Sequence, residues 1–245
     1  MKIIKSLIIW VVGVILIVLF FPLTFIVWIL VLPFDRDRTI MHWMLTCQSY
    51  CLTNLMPFWK INIAGREKAL KNTPYIIISN HQSILDILII NCLWYRFKWV
   101  SKIENIKVPV LGWYIRMAGY ITVNRGDKDS KDNMMERSYN YLERGISVMM
   151  FPEGTRSVNG EIGFFKRGAF EMAINASIPI LPILVDGTGG ILPKHGLIFS
   201  TGNKLRIRVF DPVQPDSFDT NQPDVLSLRF SKFMSDALRE MRAEK

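Results

Sequence analysis

From Ser6 to Phe34 the chain carries no charged residue. Lys2 and Lys5 precede this run, and Asp35, Arg36, Asp37 and Arg38 close it. At about 1.5 Å per residue, a helix over 7–32 would extend roughly 39 Å. That length crosses a hydrocarbon core of about 30 Å with tilt. Two complete crossings would need about 40 residues and do not fit. The run is apolar on every side, which argues against a buried core helix. It is too long for the core of a cleaved signal peptide, and no Ala precedes Ala64 to form a cleavage site. Pro22 interrupts the run and lacks the backbone donor that a helix interior uses. Two arrangements remain: one tilted, kinked span, or a re-entrant hairpin in one leaflet. Basic residues at both ends suit the hairpin, which leaves both ends on one side.

Residues 39–56 mix apolar and polar side chains and read as an amphipathic helix, lying on the membrane or on the domain. Trp43, Tyr50, Phe58 and Trp59 are aromatics suited to a membrane surface. The chain therefore divides into a membrane-associated helical region, 1–58, and a domain, 59–245. Within the latter, strands are expected over 60–64, 75–79, 97–100, 120–123, 146–151, 180–185 and 205–210. Helices are expected over 84–95, 127–144, 166–175 and 224–242. The short apolar strands read as buried on both faces. Their alternation with helices predicts an α/β fold: a mixed, largely parallel sheet flanked by helices, preceded by the membrane-embedded segment.

Half the residues are apolar and 21% are charged, which excludes a disordered chain. The net charge of +9 favours anionic partners. Nucleic acid is disfavoured, because the aromatics lie in the membrane segment and apolar strands rather than among basic residues. The cysteines, Cys47, Cys51 and Cys92, form no disulfide framework, and no pattern offers four zinc ligands.

Chemistry in open α/β sheets gathers where strands end. After YIIIS comes Asn80-His81-Gln82-Ser83-Ile84-Leu85-Asp86. An imidazole can take a proton from a hydroxyl near neutral pH. On a regular helix five residues turn about 140°, so His81 and Asp86 would not share a face. If His81 sits in the turn before the helix, its ring can fold back onto Asp86, which then fixes the tautomer. The bland alternative is helix capping by Asn80 or Ser83. A Ser83 nucleophile is disfavoured, since no G-x-S-x-G elbow surrounds it. His42 is expected in the surface helix and His195 in a loop. After SVMM comes Phe151-Pro152-Glu153-Gly154-Thr155-Arg156-Ser157. Gly154 permits close approach of a ligand, Arg156 offers a fork for phosphate, and Glu153 can orient that fork or accept from a hydroxyl. The plain alternative is a tight turn with a surface ion pair. Lys102 and Arg125 also fall at strand ends.

NHQSILD followed by FPEGTRS resembles the paired signature of the PlsC-type glycerolipid acyltransferases, the 1-acylglycerol-3-phosphate acyltransferases. Ser101-Lys102, Val108-Pro109 and Leu111-Gly112-Trp113 resemble an intermediate block of that family. Gly119 to Arg125 resembles its second motif, with Thr122 and Asn124 as mild departures. Phe165 to Ala169 and Ile178 to Ile183 resemble later blocks. The ordered matches span roughly 75–183.

The resemblance implies transfer of a fatty acyl group from acyl-CoA or acyl carrier protein to the hydroxyl of lysophosphatidic acid, giving phosphatidic acid. His81 would be the general base and Asp86 its orienting carboxylate. Lys102, Arg125, Glu153, Gly154 and Arg156 would hold the glycerol phosphate. A backbone N–H near the start of the His81 helix would serve the thioester oxyanion. No metal and no cofactor beyond the thioester co-substrate are expected. The domain would work at a membrane surface, on the cytoplasmic face of a bacterial inner membrane, which favours the hairpin over a single span. A runner-up is an acyltransferase for another lysophospholipid or glycerol acceptor. A lipid hydrolase and a non-catalytic lipid-binding module are the competing classes.

Overall fold

The computed structural model describes residues 2–55, 59–200 and 204–244. The expected boundary at 58, the end of the helix expected to 56, and Phe58 lie outside the described residues.

The chain opens with α1, Lys2–Val31, and α2, Thr39–Asn54. Then follow β1 (Lys60–Ala64), β2 (Ile76–Ser79), α3 (Leu85–Asn91), β3 (Phe97–Lys102) and α4 (Leu111–Met117). Next come β4 (Ile121–Val123), α5 (Lys128–Glu143), β5 (Ser147–Met150), α6 (Gly168–Ala176) and β6 (Ile180–Asp186). The chain closes with α7 (Thr188–Ile191), β7 (Lys204–Val209) and α8 (Pro223–Ala243). The strands form one sheet in the order β1-β7-β6-β2-β5-β3-β4. Every neighbouring pair is parallel except β6 with β7.

The apolar runs of β2 and β5 are buried on both faces because alternate residues point to opposite cores. Ile77, Met149 and Leu181, in register across β2, β5 and β6, join one core with residues of α2, α3 and α4. Ile76, Ile78 and Val148 join the other with residues of α5, α6 and α8.

Several elements differ from expectation. The α3 helix stops at Asn91 because the chain turns through Cys92 to Trp94, whose φ is +58°. The α4 helix was not anticipated; it packs so closely that a Cβ on Gly112 would lie 1.9 Å from the Ile106 carbonyl oxygen. Trp59 is buried, its ring 5.8 Å from Phe199. His42 is also buried rather than at the surface. Its Nε2 donates to the Tyr95 carbonyl at 2.7 Å and its Nδ1 accepts from the Tyr120 hydroxyl at 3.2 Å. The α2 helix thus packs on the domain.

The hairpin expectation is overturned, because α1 is one continuous helix with Pro22 inside it. One missing donor costs less than reversing the chain, which would strip several backbone pairs in an apolar setting. Near the proline, the Thr24 hydroxyl donates to the Phe20 carbonyl at 2.8 Å. Seating on the domain holds the helix at both ends. Trp10 Nε1 donates to the Leu197 carbonyl, and the Phe199 N–H to Ser6 Oγ, both at 2.8 Å. Phe21 meets Tyr114 and Phe25 meets Trp113 at ring separations of 5.6 and 6.1 Å. The outer face, including Leu7, Val14, Val18 and Leu30, is exposed. The helix is long and apolar enough to enter a membrane.

Asp35 joins α1 to α2 by accepting from the N–H groups of Thr39 and Ile40 at 2.7 and 2.9 Å. Beneath this link Lys98 is buried, and its ammonium donates to the Ala118 and Arg38 carbonyls. Burial lowers its pKa to about 7, against the pull of Asp35 and Asp37.

Candidate active site

His81 lies in the turn between β2 and α3, outside the helix, so the five-residue spacing no longer separates it from Asp86. Its Nδ1 is 2.8 Å from Asp86 Oδ2. A carboxylate only accepts, so Nδ1 carries the hydrogen and Nε2 is left as the acceptor. Asp86 is wholly buried and well supplied with donors. The N–H groups of Gln82 and Ser83 reach Oδ2 at 2.6 and 2.9 Å, and the Thr188 hydroxyl donates to Oδ1. This local satisfaction stabilises a buried charge that would otherwise be costly. The imidazole stacks on Phe151 with ring centres 3.8 Å apart and planes 8° off parallel, and Phe151 stacks in turn on Trp99.

The flanking residues hold the turn. The Asn80 amide bonds Val185 in both directions, each at 2.8 Å, and so ties the end of β2 to β6. Ser83 is buried and its hydroxyl donates to the Leu192 carbonyl at 2.7 Å, which leaves it no role as a nucleophile. Of the backbone N–H groups near the start of the His81 helix, where an oxyanion donor was expected, those of Gln82 and Ser83 are bound by Asp86, and that of Leu85 reaches Ser83 Oγ.

The loop after β5 is stitched to this turn. The Ser157 N–H donates to the His81 carbonyl at 2.8 Å. Glu153 accepts from the His81 N–H at 2.9 Å and from the Gly163 N–H at 3.0 Å. Both its oxygens therefore hold backbone, and it makes no ion pair with Arg156. Burial pushes the Glu153 carboxyl up, and the two N–H groups oppose that. Gly154 has φ +72°, a Cβ there would crowd Lys166, and its carbonyl accepts from Arg125 Nη1. Burial lowers the Arg125 pKa, and the Glu104 charge counters it. Lys102 is half exposed and pairs with Glu104 at 2.9 Å. Arg156 follows Thr155 on the same loop, is half-buried and has no ion pair among the described residues.

The turn after β2 and the loop after β5 thus bring together His81, Asp86, Glu153, Gly154 and Arg125. Arg156 sits one residue from the bond to His81, and Lys102 lies farther out, on Glu104. Sequence reasoning missed Thr188 and Glu104, and gave no individual role to Phe151 and Lys166 although both lie in motifs it singled out. Thr188 follows a buried strand directly, so the strand-end rule that found His81 would also have found it. Among the described residues no three His, Cys, Asp or Glu side chains gather to hold a metal.

The family model described as Acyltransferase matches residues 60–186, from β1 through the end of β6. The chain belongs to the acyltransferase family. Over 190 residues it is 35% identical to the chloroplastic 1-acyl-sn-glycerol-3-phosphate acyltransferase of Arabidopsis thaliana, covering 77% of this chain and 53% of that protein. Over 205 residues it is 29% identical to the 1-acyl-sn-glycerol-3-phosphate acyltransferase of Saccharomyces cerevisiae, covering 82% and 67%. The acyltransferase chain spans about half the length of the plant and algal relatives it matches. Its fold matches the crystal structure of the 1-acyl-sn-glycerophosphate acyltransferase PlsC from Thermotoga maritima with a TM-score of 0.80. That match has 22% identity and covers 100% of this chain and 97% of the other.

Proposed function

We propose that this acyltransferase-family chain moves a fatty acyl group from acyl-CoA or acyl carrier protein to the free hydroxyl of 1-acylglycerol-3-phosphate, yielding phosphatidic acid. The observation that carries this reading is the imidazole fixed by Asp86 with Nε2 as its acceptor. The names of the relatives support the acceptor. As the acceptor oxygen bonds the thioester carbonyl carbon, its proton passes to Nε2. The C–S bond then breaks, and the leaving thiolate takes that proton back from the imidazolium. Such general base catalysis is worth about 10²–10⁴-fold. Arg125, held by the Gly154 carbonyl, keeps further N–H donors for the acceptor phosphate, and Arg156 and Lys102 add charge. Glu153 shapes the loop that carries Arg156 and bonds Arg125.

Residues 1–58 form the membrane-associated region and 59–245 the catalytic domain in this reading. The exposed apolar face of α1 enters the lipid where lysophosphatidic acid resides, at the cytoplasmic face of a bacterial inner membrane. No cofactor is needed beyond the thioester. The test is His81→Ala, assayed with labelled acyl-CoA and lysophosphatidic acid. We expect transfer to fall about 10²–10⁴-fold with an unchanged melting curve. Undiminished transfer overturns the reading. Neutral and headgroup-bearing lysolipids, run in parallel, check the acceptor; equal rates on all of them would reject the phosphate assignment.

A further inference from the structure

A cleft of about 710 Å³ opens beside the candidate active site. Its inner wall includes Gln82 and Ser157, the residues that follow His81 and Arg156. Its floor is the end of β6 and the start of β7. The sheet order puts it on one flank of β2, whereas Lys102 and Arg125 end β3 and β4 on the other flank. His81 therefore stands between two basic regions.

The cleft is lined by charged side chains, most of them in ion pairs. Asp186 is gripped by Arg206 at 2.8 Å and Arg242 at 3.1 Å, which fixes both guanidinium groups. Arg242 also pairs with Glu161, and Glu244 with Arg208. Lys194 and Lys204, also on the lining, have no ion pair among the described residues. Lys194 leans over the cleft to the Thr155 hydroxyl at 3.0 Å. The wall after β6 offers Gly187, Gly189 and Gly190, with no side chain to catch a slender chain.

We infer that this cleft receives the phosphate-bearing pantetheine arm of the acyl donor. The inference rests on the function proposed above and names the donor's approach. In a direct transfer two substrates must reach one imidazole. A lysolipid whose phosphate lies toward Arg125 fills one flank, so the thioester comes from the other. A pantetheine arm is narrow next to the thioester and anionic at its far end. Those properties match the glycine wall and the two ammonium groups that have no ion pair among the described residues. Coenzyme A and carrier protein present the same arm.

The test uses the full chain carrying Lys194→Glu and Lys204→Glu together, with Lys194→Gln and Lys204→Gln as the milder pair. KM is measured for acyl-CoA, for acyl carrier protein and for lysophosphatidic acid on the same samples. We expect KM for at least one donor to rise about tenfold or more in the Glu pair, and less in the Gln pair. KM for lysophosphatidic acid should stay within about twofold. A rise with acyl-CoA assigns the arm's free source, and a rise with carrier protein alone assigns the protein-borne source. Unchanged KM for both donors, or a rise confined to lysophosphatidic acid, overturns the inference. Binding of coenzyme A alone, by calorimetry, separates the two proposals. Loss of that binding in the Glu pair supports the cleft even if lysophosphatidic acid proves not to be the acceptor.

Discussion

Asp86 combines four hydrogen-bond donors with complete burial. One oxygen gathers the imidazole and two backbone N–H groups, so replacing it with Asn keeps most acceptors but removes the charge that stabilises an imidazolium. Asp86→Asn should lower kcat about a hundredfold or more with little change in melting temperature. Single-turnover kinetics on the purified variant would check this, and a large loss of melting temperature would show a structural role instead. His42 gives the opposite case of a buried imidazole with a structural role. Burial lowers its pKa to about 4, against the backbone bond to Tyr95. The ring folds in neutral, while an unfolded imidazole takes a proton near pH 6.5. The contribution is therefore complete above about pH 6.5 and fades as pH falls toward 4, by about 3 kcal/mol. Melting curves should show a shallower acid limb in His42→Gln over that window. The His81–Asp86 pair was legible because its partners are near neighbours in sequence. The strand-end rule reaches Thr188 as a position, but its bond to Asp86 spans a stretch of chain that no local spacing encodes.

At the scale of elements, strand ends were read to within a residue or two because Pro74, Pro152 and Pro179 bound the apolar runs. The α3 helix was overextended, since the apolar pattern continues past the turn that ends it. The hairpin in α1 failed for a different reason. Pro22 signals a weakness in the helix, but the sequence does not reveal the tertiary support along its length. That support has a side. Ile9 is buried against the domain, while Val14 and Val18 face outward. Ile9→Lys should unfold or aggregate the chain, because it buries a charge without a partner. Val14→Lys with Val18→Lys should leave melting unchanged and weaken sedimentation with phospholipid vesicles. Equal damage from both would contradict the two-sided helix.

For the whole molecule, composition foretold attraction to anions but not where the charge would act. The sheet supplies that answer by bringing β4 and β7 to opposite flanks of β2. Net charge also predicts behaviour at a lipid surface. With +9 overall, adsorption to anionic vesicles should weaken as the screening length falls from about 10 Å at 0.1 M salt to about 3 Å at 1 M. Adsorption to neutral vesicles, driven by the apolar face of α1, should hardly change. Vesicle flotation across a salt series reads both. A parallel fall on both lipids would mean that charge, not apolar burial, holds the protein there.

The antiparallel pairing of β6 with β7 has a consequence for variation. Parallel neighbours are joined by long, right-handed crossovers, whose length and path are constrained. An antiparallel return has no such demand, so the stretch between the anchors at Leu192 and Leu197 can gain or lose residues without disturbing the strands. On the proposed mechanism, one rim of the site can thus be reshaped independently of the other, and diversification among acyltransferases of this fold should concentrate in that segment.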